Sequence, residues 1–129
     1  MTGATGFLGR HLVKRLCEKN YEVYLLARKT SNLAPFHGLP VTVHYGDITN
    51  TLDLLQATEE KDIVFHLAGL IAYKKKDRHL MEKINVQGTR NVVDACITNK
   101  VKKLFHLSSV VTIGASFDKK PLSEESEYN

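Results

Sequence analysis

Near its start the chain reads Thr2-Gly3-Ala4-Thr5-Gly6-Phe7-Leu8-Gly9. These evenly spaced glycines run straight into a stretch, 7–19, where Leu8, Leu12, Val13, Leu16 and Cys17 recur at one-face helical spacing. Asn20 is placed to stop that helix. Gly3 permits a tight turn into the helix. Gly6 lets main-chain N–H groups approach a pyrophosphate with no side chain in the way, and Gly9 lets the helix pack closely on a sheet. The helix start adds free donors and partial positive charge. The spacing is GxxGxxG, not GxGxxG. A glycine triplet alone also describes a plain turn and helix, so the residues beyond it carry the weight.

Strand-like and helix-like patterns alternate along the rest of the chain. Short apolar runs at 22–26, 41–45, 62–67 and 102–107 are rich in Val, Ile, Leu, Phe or Tyr and read as strands. Between them lie helical stretches. One covers 50–57, with Asn50 and Asp53 placed as a capping pair. A long one covers 78–99, with Met81, Ile84, Gly88, Val92 and Ala95 on one face. Gly88 in mid-helix costs about 1 kcal/mol against Ala, tolerable where a helix lies close to a sheet. Strand–helix alternation with buried strands predicts a parallel sheet covered on both faces. The expected fold is a Rossmann-like, doubly wound α/β domain occupying 1–129, with no second domain. In that context the glycine turn predicts a dinucleotide site made by Gly3, Thr5, Gly6, Phe7, Leu8 and Gly9.

Composition narrows the class. The 129 residues are 43% apolar and 25% charged, enough for one core. No apolar run reaches membrane-spanning length, no cleavable leader pattern is present, and no low-complexity stretch argues for disorder. Cys17 and Cys96 sit inside helical patterns, which suits packing in a reducing cytoplasm. The six histidines, at 11, 37, 44, 66, 79 and 106, lack metal-ligand spacing, and His66 and His106 read as packing groups at strand ends. A net charge of +4 suits a phosphate-bearing ligand but gives no warrant for nucleic-acid binding. Lys74-Lys75-Lys76 with Arg78 reads as a solvated loop, a phosphate-rich substrate or acidic partner being the alternative.

The end of the 22–26 strand bears on cofactor choice. A carboxylate there would bind both ribose hydroxyls and favour NAD. Ala27 holds that position, 18 residues after Gly9, and Arg28 follows. A guanidinium can grip a 2′-phosphate bidentately, which predicts NADP, with NAD and a solvated Arg28 as the alternative.

The glycine turn resembles that of the extended (atypical) short-chain dehydrogenase/reductase family, within the NAD-dependent epimerase/dehydratase superfamily. Other motifs fit in order: Gly46-Asp47-Ile48, His66-Leu67-Ala68-Gly69, Asn85-Val86-Gln87-Gly88-Thr89 and His106-Leu107-Ser108-Ser109. The wording of 66–72 is similar to the dihydroflavonol-reductase and 3β-hydroxysteroid-dehydrogenase branches. The resemblance implies that Asp47 accepts from the adenine amino group while Ile48 packs on the ring. It implies that Leu67, Ala68 and Gly69 line the adenosine side, that Asn85 ties the long helix to the strand at 62–67, and that Ser109 is the catalytic serine. Asp47 and Ser109 could instead cap turns, and Asn85 could be solvated; Ser108 is the neighbouring serine. Tyr73 lies where a substrate loop is expected.

The family's Tyr-x-x-x-Lys pair is absent. Four residues after Tyr21, Tyr24, Tyr45 and Tyr73 stand Leu25, Arg28, Thr49 and Asp77, and Tyr128 is too near the end. Residues 121–125 resemble the segment preceding that pair, and a central strand is expected ahead of Gly3. The chain is therefore expected to be part of a longer protein, lacking the first strand and the C-terminal substrate part. The implied activity is NADP-dependent hydride transfer between nicotinamide and a carbonyl/alcohol carbon of a small molecule, without nucleic acid or membrane, a homodimer being left open. The alternatives are a nucleotide-sugar epimerase or dehydratase with tightly held NAD(P), and a non-catalytic NADP sensor.

Overall fold

The computed structural model describes residues 1–114, 116 and 121–126, so Tyr128 lies outside the described residues. Helix α1 (Phe7–Glu18) leads to strand β1 (Val23–Ala27), then β2 (Val41–Tyr45), helix α2 (Thr51–Thr58) and β3 (Ile63–His66). A long helical rod comes next: α3 (Arg78–Met81), a π-helical stretch (Glu82–Gly88) and α4 (Thr89–Thr98). Strand β4 (Lys103–His106) and a 3-10 turn (Val110–Ile113) complete the order.

Both strand pairs are parallel, β1 with β2 from Val23 opposite Val41 to Ala27 opposite Tyr45, and β3 with β4 from Ile63 opposite Lys103. Met1 and Thr2 join them. Thr2 bridges in parallel to Leu26 on one side and His66 on the other. The Thr2 amide donates to Phe65 O at 2.9 Å, and the Leu26 amide donates to Met1 O at 2.9 Å. These two residues hold the carboxyl end of the central position, so the order is β2-β1-(Met1–Thr2)-β3-β4.

The sheet is covered on two faces, as the alternation predicted. Ala4, Val13, Cys17, Val23, Leu25 and Phe36 form one core under α1. Leu26, Ile48, Leu54, Val64, Val92, Ala95 and Cys96 form the other under α2 and α4. Neighbouring Leu25 and Leu26 point into opposite cores because side chains alternate along a strand.

Several local expectations need correction. Only β1 is buried almost throughout; β4 is largely exposed, with Phe105 stacked on Phe65 at 4.9 Å. Asn50 caps α2 by accepting from the Leu52 amide at 3.0 Å, but Asp53 accepts from the Asp47 amide at 2.8 Å rather than closing a reciprocal pair. Gly9 packs on the turn, not the sheet: a Cβ there would sit 2.6 Å from Ala4 O. Asn20 stops α1 as expected, with φ 60°.

Candidate functional site

Gly3 has φ +69°, a left-handed conformation that disfavours any side chain, and a Cβ there would fall 2.5 Å from Leu67 C and overlap the Ala68 nitrogen. The glycine turn therefore lies directly on the backbone that leaves β3. The Gly6 amide donates back to Gly3 O at 3.1 Å, and the first helical bond runs from the Arg10 amide to Gly6 O at 3.1 Å. The amides of Phe7, Leu8 and Gly9 precede that bond and have no helical carbonyl to reach. Gly6 brings no side-chain cap, and the first turn of α1 holds no acidic residue. Open donors at the positive end of a helix suit an anion. Phe7 and Leu8 project outward, and Thr5 is half-buried.

The other expected residues stand around this point because parallel strands all end on one edge. Arg28 is exposed directly after buried Ala27, and its carbonyl accepts from the Ser31 amide at 2.9 Å. No carboxylate occupies the end of β1. Beyond β2, Asp47 Oδ1 accepts from both the Thr49 amide and the Thr49 hydroxyl at 2.8 Å. Among the described residues no donor reaches its other oxygen, so Asp47 shapes a turn and keeps an acceptor to spare. Ile48 is buried between sheet and rod; its carbonyl accepts from Asn91 Nδ2 at 3.1 Å, and a Cβ on Gly88 would meet its Cδ1 at 2.7 Å. Gly88 is thus explained by Ile48 rather than by the sheet itself.

Leu67 and Ala68 are half-buried and Gly69 is exposed. The Leu67 amide donates to Thr2 O at 3.3 Å and the Ala68 amide to Thr2 Oγ1 at 3.3 Å. Asn85 ties the rod to the segment after β3 rather than to the strand itself: its Oδ1 accepts from the Leu70 amide and its Nδ2 donates to Leu70 O, each at 2.8 Å. Ser109 begins the 3-10 turn. Among the described residues its Oγ accepts only a long 3.4 Å bond from the Val111 amide and its hydroxyl proton has no acceptor. A small cavity of about 320 Å³ places Ser108 and Ser109 beside Ser123 and Glu124. Tyr73 is 94% exposed, and Lys74, Lys75, Lys76 and Arg78 are exposed beside it.

Sequence reading missed the polar centre beneath this edge. His66 is fully buried, with Thr2 Oγ1 2.6 Å from Nδ1 and Thr89 Oγ1 3.0 Å from Nε2. Burial, and then the His106 ring stacked at 5.2 Å, push its pKa from 6.5 down to about 4. It is therefore a neutral imidazole near pH 7. Threonines at 2 and 89 were the available signal, visible only once the fold brings them to one ring.

No helix among the described residues is long and apolar enough to cross a membrane, and no group of three metal-ligating side chains occurs among them. A parallel sheet whose strand order switches sides at Thr2, with an open helix start at its carboxyl edge, defines a Rossmann-like domain of the extended short-chain dehydrogenase/reductase type. The model of the 3-beta hydroxysteroid dehydrogenase/isomerase family matches residues 1–129, and the chain belongs to that family.

A putative dihydroflavonol 4-reductase of Synechocystis sp. is 35% identical over 118 residues, covering 92% of this chain and 34% of the relative. Mouse 3 beta-hydroxysteroid dehydrogenase type 7 is 31% identical over 134 residues, covering 98% and 36%. The crystal structure of gox2253 superposes with TM-score 0.88 at 33% identity, covering 99% of this chain and 39% of that one. UDP-glucose 4-epimerase of Thermus thermophilus, in complex with NAD, superposes with TM-score 0.72 at 28% identity, covering 80% and 34%. The chain spans about a third of the length of the curated relatives it matches.

Proposed function

We propose that this chain forms the dinucleotide-binding part of an NADP-dependent reductase or dehydrogenase acting on a small molecule. One observation carries the reading: an uncapped helix start, floored by bare glycine backbone, opens where the strand order reverses. The residues present fit a nicotinamide dinucleotide. The amides of Phe7, Leu8 and Gly9, with Gly3, Thr5 and Gly6 keeping the approach clear, would take the pyrophosphate. The spare oxygen of Asp47 would accept from the adenine amino group above Ile48, with Leu67, Ala68 and Gly69 lining the adenosine side.

Arg28, exposed with no carboxylate at the strand end, favours a 2′-phosphate. The bound nicotinamide supplies or accepts the hydride. The Ser109 hydroxyl would hydrogen-bond the substrate oxygen where charge develops, without giving up its proton. Proton transfer needs a Tyr-x-x-x-Lys pair, which these residues do not contain. Two buried, free cysteines fit a reducing cytoplasm.

Titration of the full-length protein with NADPH and NADH tests this. NADPH should bind at least about tenfold more tightly. Equal affinities would remove the Arg28 assignment, and no binding of either would remove the function. The likeness to an NAD-bound epimerase favours a second reading, an epimerase or dehydratase that regenerates its cofactor within each turnover. Steady consumption of added NADPH with substrate would exclude it.

A further inference from the structure

His66 is larger and more polar than a core position at a strand end requires, yet neither ring nitrogen is wasted. Nδ1 lies 2.6 Å from the Thr2 hydroxyl and Nε2 lies 3.0 Å from the Thr89 hydroxyl. The Thr2 oxygen also accepts the Ala68 amide at 3.3 Å, while the Thr2 carbonyl accepts the Leu67 amide at 3.3 Å. One polar chain thus runs from the Ala68 amide through Thr2 and His66 to Thr89, the first residue of α4. Thr2 is joined to Gly3, whose own backbone presses on Leu67 and Ala68. Four residues before Thr89, Asn85 grips Leu70 from the same rod.

We infer that His66 is a positioning residue: through Thr2 it locks the glycine turn against the 67–69 backbone, and through Thr89 it anchors that assembly to the rod. It touches no cofactor. It sets the distance between the two halves of the proposed dinucleotide cradle, and in this it rests on the functional reading above. A Leu or Phe of similar volume would fill the space but leave the Thr2 hydroxyl and the Ala68 amide without a fixed arrangement.

The two nitrogens have separate jobs, and two amide substitutions separate them. His66→Asn keeps an amide where Nδ1 sits, facing Thr2. His66→Gln keeps one where Nε2 sits, facing Thr89. Both should lower the melting temperature of the full-length protein. Only His66→Gln should weaken binding of the preferred dinucleotide, by about tenfold, the worth of one neutral hydrogen bond. His66→Asn should stay within about twofold of the wild type.

Equal affinity for both variants and the wild type overturns the inference, and so does an equal loss in both, which would make His66 a general core residue. Should a variant fail to fold, Thr2→Val and Thr2→Ser replace the pair: the first should lose about tenfold and the second should not. Wild-type affinity in Thr2→Val overturns the inference just the same. A wild type that binds neither NADH nor NADPH overturns the functional reading and this inference together. A wild type that binds while every variant matches it overturns the inference alone.

Discussion

Acidification should strip stability from this fold through His66, and the amount follows from its surroundings. The ring is fully buried and its pKa is held at about 4, against 6.5 for an unperturbed imidazole. Between those values the unfolded chain binds a proton that the folded chain refuses, so stability rises with pH across the window and falls as pH drops from 6.5 toward 4. Below both values nothing further is lost. The full interval corresponds to about 3 kcal/mol, and about 2 kcal/mol is already gone by pH 5.

Other groups titrate nearby. The measurement is therefore a difference: urea unfolding of the wild type and of His66→Asn at several pH values from about 7.5 to about 5. Asn does not ionise, so the stability gap between the two proteins should shrink by about 2 kcal/mol over that range. A gap that stays constant with pH would refute the reasoning and mean that water reaches the ring in the folded state.

Two further substitutions probe the site. Gly3→Ala combines a positive φ with overlap onto the Leu67–Ala68 backbone, so it should cost about 2–5 kcal/mol in urea unfolding; an unchanged midpoint would show that the turn can rearrange. Arg28→Ala should weaken NADPH about tenfold or more in a binding titration and leave NADH unchanged; equal losses for both would mean that Arg28 supports the fold instead.

The elements that local pattern alone dictates were legible in the sequence. The one-face spacing of Val13 and Cys17 located α1, and β2 was placed to the residue. Other strand ends moved by a residue or so, because ladder bonds with neighbours decide where pairing stops. The π-helical stretch at 82–88 was not legible. Its backbone is set where Asn85 reaches for Leu70 and Gly88 seats on Ile48, contacts that no local window contains. The exposure of β4 was hidden for a similar reason, since burial depends on what covers a strand. At the site, the glycine turn announced itself through backbone need. His66 did not, because a histidine closing a strand reads alike whether or not two hydroxyls await it.

The two cysteines lie in different compartments, Cys17 under α1 and Cys96 under α4, on opposite sides of one sheet. Burial raises both thiols above their ordinary pKa, so neither offers much thiolate while its own layer stays shut. The molecule therefore carries a pair of intrinsic tamper seals. Brief alkylation followed by mass mapping would tell which side of the sheet breathes first, without altering a single residue.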